Sequence, residues 1–411
     1  MALKKYALSD VCTIVPGFAF KSNEFGSGEN IAVKIKDIEP PSVNIKNAER
    51  VCFTPQDKFR LSKGDYIMAM TGATIGKVGK LQIDAKNVYI NQRVCKFNPI
   101  TSVCDKEYLY YVLSAPSFRN FIYNNVDSKL AQPNIGHPTI YKYTHLFPTD
   151  IKEQKLIASV LNNIDRKIEL NKQINDNLEA MAKQLYDYWF VQFDFPNEEG
   201  KPYKSSGGAM VWNENLKRKI PQGWNDCKIK DFMRIFTGKK DVSKAVPGNY
   251  KFFSCAPEPI SSNEYIYDGY AVLVSGNGSY TGRVGFYKGK FDLYQRTYAC
   301  VLDEDEHNIS FFYYTLRYLF QPIYSGGKHG SSIPYIVLGD LADFRFAFNE
   351  TICTKFVDAT KPMFDEQLLR QKEIEVLTKQ RDELLPLLMN GQATVNYHLS
   401  VYFFRAFSYI I

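Results

Sequence analysis

Apolar residues recur every three or four positions along two long stretches of the chain, which is the pattern of an amphipathic helix. The first stretch follows Asp150, and Glu153 three residues later completes a helix-capping pattern. From Ile157 to Trp189, ten positions alternate in steps of four and three residues, and seven of them are apolar. This heptad seam predicts a coiled coil, with two asparagines in the seam fixing its register. At 1.5 Å per residue the seam would span about 50 Å.

The second stretch, residues 351–392, repeats this pattern less regularly and stops at Gly391. Pro362 lies early in it, so we expect this helix either to kink there or to start nearby. An isolated amphipathic helix would expose its apolar stripe, so the two helices are expected to pack against each other in antiparallel fashion. The residues expected at the seam are Ile157, Leu161, Ile164, Ile168, Leu178, Leu185, Phe364, Leu368, Ile374, Leu377 and Leu384. Trp189 and Phe190 are alternative candidates for anchoring a partner protein, because large aromatic residues dominate interface energetics.

Two other regions, residues 1–149 and 215–350, contain short apolar runs bounded by Gly, Pro and Asn, which predict strands and turns. In each region a strand-like run precedes a Gly-Lys-Val-Gly or Gly-Arg-Val-Gly motif, and a Gln-Arg pair follows. The runs are residues 66–70 and 271–274, the motifs are 76–79 and 282–285, and the pairs are Gln92 with Arg93 and Gln295 with Arg296.

The two regions match in further blocks with a period near 200 residues, which indicates a duplication. Residues 10–17 match residues 231–238, and each block closes on a glycine. Asn134 and Ile135 match Ser332 and Ile333. Residues 105–123 and 307–319 predict one helix in each region, with aromatic residues at helical spacing that we expect in the core.

The sequence therefore predicts an α+β fold: two duplicated mixed α/β domains separated by two long antiparallel helices that form a coiled coil, with pseudo-two-fold symmetry. The expected layout is a first domain at 1–149, a central long helix at 150–193, a polar linker at 194–214, a second domain at 215–350, a second long helix at 351–392 and a tail at 393–411. The linker is inferred from its Gly, Pro and Ser content.

Composition narrows the classes of protein without naming one. Hydrophobic residues make up 45% and charged residues 23% of the 411 residues, which excludes a disordered, collagen-like or disulfide-scaffold chain. The net charge of +7 permits nucleic acid as a partner but does not require it. None of the eight cysteines forms a CxxC motif, so we expect no metal site and reduced thiols in a cytoplasmic protein. No signal peptide or membrane span is expected.

Motifs for catalysis are missing from the sequence. Residues 72–78 resemble a phosphate-binding loop, but they have three residues between the glycines where four are needed, and Val78 stands where Ser or Thr must bind Mg²⁺. Asp150 and Glu153 are better explained as a helix start than as nuclease acids. No methyltransferase motif and no Ser-His-Asp grouping can be argued, so we predict no catalytic residue in this chain.

The sequence resembles the specificity subunit of type I restriction-modification systems (HsdS) over nearly its whole length, from Leu8 to about Gln392. The most specific piece is residues 185–196, Leu-Tyr-Asp-Tyr-Trp-Phe-Val-Gln-Phe-Asp-Phe-Pro, continued by residues 200–208. The Ile-Pro-Gln-Gly-Trp run at 220–224 and the two Gly-rich motifs are similar to further signatures of that family. The tail at 396–411 is unlike the family's usual end.

This resemblance implies that each domain is a target-recognition domain that reads one half of a split, double-stranded DNA site. It also implies that the helices set the gap between the halves and bind two modification (methyltransferase) subunits, and that restriction subunits, the ATP-dependent nuclease and translocase, join the complex. S-adenosylmethionine, ATP and Mg²⁺ would then serve those partners, with no cofactor in this chain. The alternative is an orphan or degenerate relative, acting as a non-catalytic DNA-binding or coiled-coil scaffold protein.

The DNA-contacting residues are expected in and around the Gly-rich turns, where the backbone can approach a ligand closely. Lys and Arg would bind phosphates, and Gln, Asn and Arg can read base edges. The candidates in the first domain are Lys21, Thr71, Thr74, Lys77, Asn91, Gln92, Arg93, Lys129, Gln132 and Asn134. Those in the second are Lys239, Lys240, Asn277, Ser279, Tyr280, Arg283, Gln295, Arg296, Lys328, His329, Ser331 and Ser332.

Each candidate could instead be a solvated surface residue or part of a turn. An arginine shared by both copies could equally hold the duplicated fold together, because two domains that read different sequences need not share base-reading residues. We therefore expect the half-sites to be distinguished where the copies differ, at residues 328–332 against 129–133.

Overall fold

The computed structural model describes residues 2–126, 133–303, 306–330, 332–393 and 395. By its internal contacts the chain divides into two compact units, residues 1–170 with 373–411, and residues 171–372. Each unit has its own sheets, short helices and aromatic core, and each includes parts of both long helices.

The first unit is built on a six-stranded sheet. Its strands, in spatial order, are Cys12–Pro16, Val94–Pro99, Tyr66–Ala69, Val78–Lys80, Ser42–Val43 and Ile38–Glu39. A three-stranded sheet contains Glu49–Val51, Phe25–Val33 and Val88–Ile90, and Leu3–Ala7 pairs with Thr144–Pro148. The α-helices outside the long ones are Leu8–Val11, Lys106–Ser114, Pro116–Asn124 and His137–Tyr141.

The second unit repeats this plan. Its six-stranded sheet has the order Arg234–Thr237, Thr297–Val301, Tyr267–Ser275, Val284–Leu293, Tyr250–Phe253 and Ile260–Ser262. Asn225–Lys228 pairs with Arg345–Phe348, and Met210–Asn213 pairs with Arg218–Pro221. Its shorter helices are Ile309–Thr315, Gln321–Tyr324 and Leu338–Ala342, with π-helical segments at Asp187–Val191 and Leu316–Phe320. The predicted duplication of a mixed α/β domain is therefore confirmed.

A close backbone contact explains the glycine that closes the first repeated block in each copy. A Cβ on Gly17 would lie 1.9 Å from the carbonyl oxygen of Asn91, and one on Gly238 would lie 1.5 Å from that of Leu293. Real Cβ atoms cannot approach backbone that closely, so both copies need glycine where this strand ends.

The predicted helices inside the two domains are interrupted. The helix expected at 105–123 is two helices, because Ala115 before Pro116 is extended, with ψ of 147°. The one expected at 307–319 begins as a 3₁₀ turn and continues as α- and then π-helix. The core role of their aromatic residues is confirmed, with Tyr108 and Phe311 fully buried.

The first long helix runs from Ile151 to Tyr186, and Asp150 caps it by accepting the Lys152 N–H at 2.8 Å. The second runs from Glu350 to Met389 and passes through Pro362, so of the two alternatives, a kink there or a start nearby, the start near the proline is excluded. Phe356 and Phe364 on either side are buried in the second core, and this packing holds the helix together across the missing N–H.

Each unit by itself shows the two helices running antiparallel. In the first unit, Leu161 shares a core with Leu385, and Asp165 is 3.2 Å from Arg381. In the second unit, Gln367 donates to Glu179 at 3.2 Å. The seam residues divide into a buried set (Ile157, Leu161, Ile168, Phe364 and Leu377) and a half-buried set (Ile164, Leu178, Leu185, Leu368, Ile374 and Leu384).

Polar residues also lie in the seam. Asn171 is 1% exposed and accepts a hydrogen bond from Arg370 at 3.5 Å. Trp189 and Phe190 are buried in the second core, against Phe356 and Trp224, so they are not exposed as partner anchors.

The segment expected as a linker is instead a folded part of the second unit. The Asp194 carboxylate accepts the Ser205 N–H at 2.7 Å and its hydroxyl at 2.6 Å, which also lowers the pKa of Asp194. Phe195 stacks between Tyr203 and Trp224, and a strand begins at Met210. Composition predicted a linker here, but the few aromatic residues in the segment bury themselves and order it.

All eight cysteines are free, and five of them are buried. Among the described residues, neither long helix contains an 18-residue apolar stretch of the kind that spans a bilayer, and the other helices are shorter than that.

Candidate nucleic-acid interface

Two Gly-rich turns, residues 71–78 and residues 277–284, have the same backbone hydrogen bonds. Gly72 donates to the Pro133 carbonyl and Gly278 to the Pro334 carbonyl, both at 2.9 Å. The second glycine of each turn donates back to the preceding strand, Gly76 to Ala69 at 2.9 Å and Gly282 to Ser275 at 2.8 Å. All four glycines have φ between 75° and 80°, a region that disfavours other residues.

The repeated Gln-Arg pair is attached to the same place. The carbonyl oxygen of Arg93 accepts the N–H of Met70 at 3.0 Å, and that of Arg296 accepts the N–H of Gly276 at 2.9 Å. The side chains of Gln92, Arg93, Gln295 and Arg296 are all exposed. The backbone therefore sets these polar side chains beside the Gly-rich turn in both units, while leaving them open to solvent.

The third repeated block has a different register from the one the sequence suggested. The Ile135 N–H bonds to Met70 and the Ile336 N–H bonds to Gly276, so Ile135 corresponds to Ile336 and not to Ile333. Ile135 and Ile336 are 2% and 3% exposed, whereas Ile333 is 64% exposed. The apolar match was displaced by three residues, because Ile333 and Ile336 are both apolar and a pattern alone cannot tell which of them is buried.

The first-domain candidates differ in how they are presented. In the described part of the chain, the hydroxyl oxygens of Thr71 and Thr74 are buried without a hydrogen-bond partner, which argues against direct base contact by these atoms. Lys77 is half-buried, and Asn134 is exposed and bridges the backbone of Thr71.

The remaining first-domain candidates lie outside the turn itself. Asn91 is half-buried and its side-chain oxygen accepts the Gln92 N–H at 2.6 Å. Lys21 is exposed and precedes the short 3₁₀ helix Ser22–Glu24. Lys129 and Gln132 lie outside the described residues.

Two basic candidates of the second domain serve the fold. The Arg283 guanidinium donates to the carbonyl oxygens of Ala256 at 2.6 Å and Pro257 at 3.4 Å, and its burial lowers its pKa. Lys240 is ion-paired with Glu264 and with the buried Asp292; the hydrogen bond to Glu264 is the main reason that its pKa is raised. Both cations are committed to protein acceptors, which favours a structural role.

The loop expected to distinguish the half-sites is tied to a single carboxylate. Asp340 lies 3.0 Å from the His329 ring and 3.8 Å from the Lys328 ammonium, and it also accepts the Val337 N–H at 2.9 Å. The His329 ring packs against Tyr335 at 5.3 Å between centroids. The loop is therefore pinned beside the turn; Ser331 within it lies outside the described residues.

The other second-domain candidates are mostly exposed. Asn277 is half-buried and accepts a hydrogen bond from the Cys255 thiol at 3.1 Å. Tyr280 is 48% exposed, and Lys239, Ser279 and Ser332 are exposed.

Sequence reasoning missed two parts of this surface. The loop at 254–257 supplies the carbonyl groups that hold Arg283, and Cys255 lies against Asn277. Tyr335, 38% exposed, bridges the backbone of Asn277. No local sequence pattern identifies the loop, because the sheet alone brings it next to the turn. Tyr335 could have been identified if the repeat had been aligned in the correct register.

The resulting surface can bind a polar, extended ligand. Glutamine, arginine, serine and tyrosine side chains project from turns whose backbone is fixed by the sheet, and these groups both donate and accept hydrogen bonds. Rigid presentation of such groups is what base-edge recognition requires.

Comparison with known proteins identifies the family. The type I restriction modification DNA specificity domain matches residues 2–180 and again residues 221–348. The chain is 27% identical over 319 residues to the type I restriction enzyme MjaIX specificity subunit of Methanocaldococcus jannaschii, covering 70% of this chain and 69% of that protein. It is 33% identical over 182 residues to the EcoDI specificity subunit of Escherichia coli, covering 43% and 40%.

A solved structure agrees with the fold. The type I restriction-modification S subunit from M. genitalium superposes with a TM-score of 0.58 at 17% identity, over 94% of this chain and 96% of that one. With two matched segments that together cover most of its length, this chain belongs to the family of the type I restriction modification DNA specificity domain, which it carries twice.

Proposed function

We propose that this chain is the DNA-reading specificity subunit of a type I restriction-modification complex. Each specificity domain, residues 1–149 and 215–350, reads one half of a bipartite duplex site. The chain does no chemistry itself. It directs two modification subunits and the restriction subunits to the site, and S-adenosylmethionine, ATP and Mg²⁺ act in those partners.

One observation carries this proposal: the two Gly-rich turns share their backbone hydrogen bonds but not their side chains. The exposed Ala73 of the first turn corresponds to the exposed Ser279 of the second. The exposed Asn134 beside the first turn corresponds to the exposed Tyr335 beside the second. A common scaffold with different side chains is what two readers of different base sequences need. The exposed Gln-Arg pairs beside both turns supply groups that can bind phosphates or base edges.

Not all of the candidates retain this role. The exposed ones are proposed to contact DNA: Lys21, Gln92, Arg93 and Asn134 in the first domain, and Lys239, Ser279, Tyr280, Gln295, Arg296, Lys328 and Ser332 in the second. Arg283 and Lys240 are proposed to hold the turn and its sheet in place. The long helices are proposed to set the spacing between the half-sites and to contact the modification subunits.

The test is a binding selection on random-sequence duplex DNA, using the full chain co-purified with its candidate modification subunit. Enrichment of two short blocks separated by a fixed, unselected gap is the expected result. Binding that weakens steeply with salt but enriches no sequence would instead support the degenerate DNA-binding relative. Absence of binding would leave the coiled-coil scaffold.

A further inference from the structure

We propose that Arg317 is a positioning residue for the second Gly-rich turn. It would not contact DNA itself, but the base preference of the second domain would depend on how it holds the turn. The inference rests on the proposed function and deepens it. Arg317 belongs to the π-helical segment Leu316–Phe320, which packs behind the turn.

The first step is the grip on the turn. Nη1 of Arg317 donates to the Val284 carbonyl oxygen at 3.1 Å and to the Gln321 side-chain oxygen at 2.8 Å. The same Gln321 oxygen accepts the Val284 N–H at 2.7 Å. Both polar backbone atoms of Val284 are therefore bound from one helical segment. Because Val284 directly follows Gly282 and Arg283, these hydrogen bonds fix the position of the end of the turn.

The second step is the link to the long helix. The Arg317 Nε atom lies 3.8 Å from the Glu179 carboxylate. That carboxylate also accepts the Tyr318 hydroxyl at 2.7 Å, the Tyr313 hydroxyl at 3.3 Å and the Gln367 amide at 3.2 Å. Arg317 thus joins the turn to a carboxylate that both long helices hold. The planar guanidinium of arginine can donate to a carbonyl, an amide oxygen and a carboxylate at the same time. A lysine ammonium has its three donors on one nitrogen and cannot reproduce this geometry.

The third step is the contrast with the first unit. The run Tyr110 to Ser114 aligns without gaps with Tyr313 to Arg317, so Ser114 occupies the position of Arg317. Among the described residues, the Ser114 hydroxyl bonds only to the Tyr110 carbonyl of its own helix, at 2.8 Å.

A cavity of about 450 Å³ lies at this place in the first unit, lined by Gly76, Val78, Ser114, Arg119 and Asp165 among others. Ser114 is too short to span from Val78 to Asp165. Loss of Arg317 should therefore alter the reading of one half-site only.

The experiment is the binding selection on random duplex DNA, run on the full chain with its candidate modification subunit. The variants are Arg317→Gln, which removes the charge and the fork, and Arg317→Lys, which keeps the charge. Lys219→Gln is the matched control, because it removes one exposed positive charge elsewhere in the second unit. The thermal stability of each variant is measured alongside.

Arg317→Gln is expected to weaken base discrimination in one block by about tenfold and to leave the other block unchanged. Compared with Arg317→Gln, Arg317→Lys is expected to be as stable as the wild type but to recover only part of the base discrimination. Lys219→Gln is expected to match the wild type in both measurements. Unaltered blocks in Arg317→Gln, equal weakening of both blocks, or full rescue by lysine would each overturn the inference. A wild-type protein that enriches no two-block site would instead refute the proposed function.

Discussion

The two Gly-rich turns are alike in their backbone and different in what supports them. In the second unit, Arg283 and Arg317 grip the loop at 254–257 and the strand after the turn through hydrogen bonds. In the first unit, Gly76 packs on the side chain of Ile122, whose Cγ2 would lie 3.1 Å from a Cβ at Gly76. The neighbouring Lys80 is buried against the Glu107 carboxylate and the Tyr110 ring. The two units therefore share the backbone of the turn, but different residues hold it in place in each unit.

The largest expected effect concerns the glycine that both copies have at the end of the first repeated block. Gly238→Ala should destabilise the second unit by more than about 3 kcal/mol, because its Cβ would lie 1.5 Å from the Leu293 carbonyl oxygen. Gly17→Ala should have a similar effect on the first unit. Chemical denaturation of the purified protein measures both. Gly339→Ala is the control, because nothing lies within 4 Å of its Cβ and the residue is helical. A mild effect of Gly238→Ala would mean that the backbone at Leu293 moves aside at little cost.

The next effect separates the two turns. Both Gly76 and Gly282 have positive φ, so alanine at either position costs about 1 kcal/mol in backbone strain. At Gly282 the Cβ would also meet the Tyr324 carbonyl oxygen at 2.4 Å, whereas at Gly76 the nearest atom would be the side-chain Cγ2 of Ile122 at 3.1 Å. Gly282→Ala should therefore cost about 2 kcal/mol more than Gly76→Ala. Equal losses in denaturant unfolding would show that the backbone contact yields as easily as the side chain.

A third difference is the loss of stability between pH 7 and 5, which we expect to be larger in the first unit. Burial lowers the pKa of His145 from 6.5 to about 4, and the corresponding position of the second unit is the buried Phe346. Between pH 6.5 and 4 the unfolded chain binds more protons than the folded one, so stability falls as the pH falls through this window. The loss between pH 7 and 5 should be about 2 kcal/mol.

His145→Phe should remove this loss, as measured by denaturant unfolding at the two pH values. His307→Gln, at an exposed histidine of the second unit, serves as the control. An unchanged pH dependence in His145→Phe would show that other groups cause the acid sensitivity.

The smallest expected effect tests the readers themselves. Arg296→Ala should weaken preference in one enriched block by about tenfold, and Arg93→Ala should do the same in the other block, because both side chains are exposed beside their turns. The binding selection described above measures both variants. If either variant weakened both blocks, the two domains would not be independent readers.

Much of the architecture was predictable from local signals. The heptad seam predicted both long helices, and Asp150 marked the start of the first one correctly. The duplication was visible because the same glycines are needed in both copies, where backbone atoms approach too closely for a side chain. Helix periodicity and the need for glycine depend on residues near each other in sequence, so a single sequence records them.

Other features depended on contacts between distant parts of the chain. The sequence match made Ile333 equivalent to Ile135, but the sheet buries Ile336 at that place, and an apolar pattern cannot decide between two isoleucines three residues apart. The segment at 194–214 is polar enough to suggest a linker, yet Phe195, Tyr203 and Trp224 stack and order it. Burial of a few aromatic residues outweighs the average composition.

Local patterns along the chain are enough to predict two related domains, two long helices and a polar turn beside a Gln-Arg pair in each copy. Which cations face solvent depends instead on the folded sheet. Arg296 and Arg283 look equally suited to bind DNA in the sequence, but Arg283 points to the carbonyl groups of a loop 26 and 27 residues away in the chain. The partner of a long, charged side chain is set by which backbone atoms the sheet brings within its reach, and no local pattern records that.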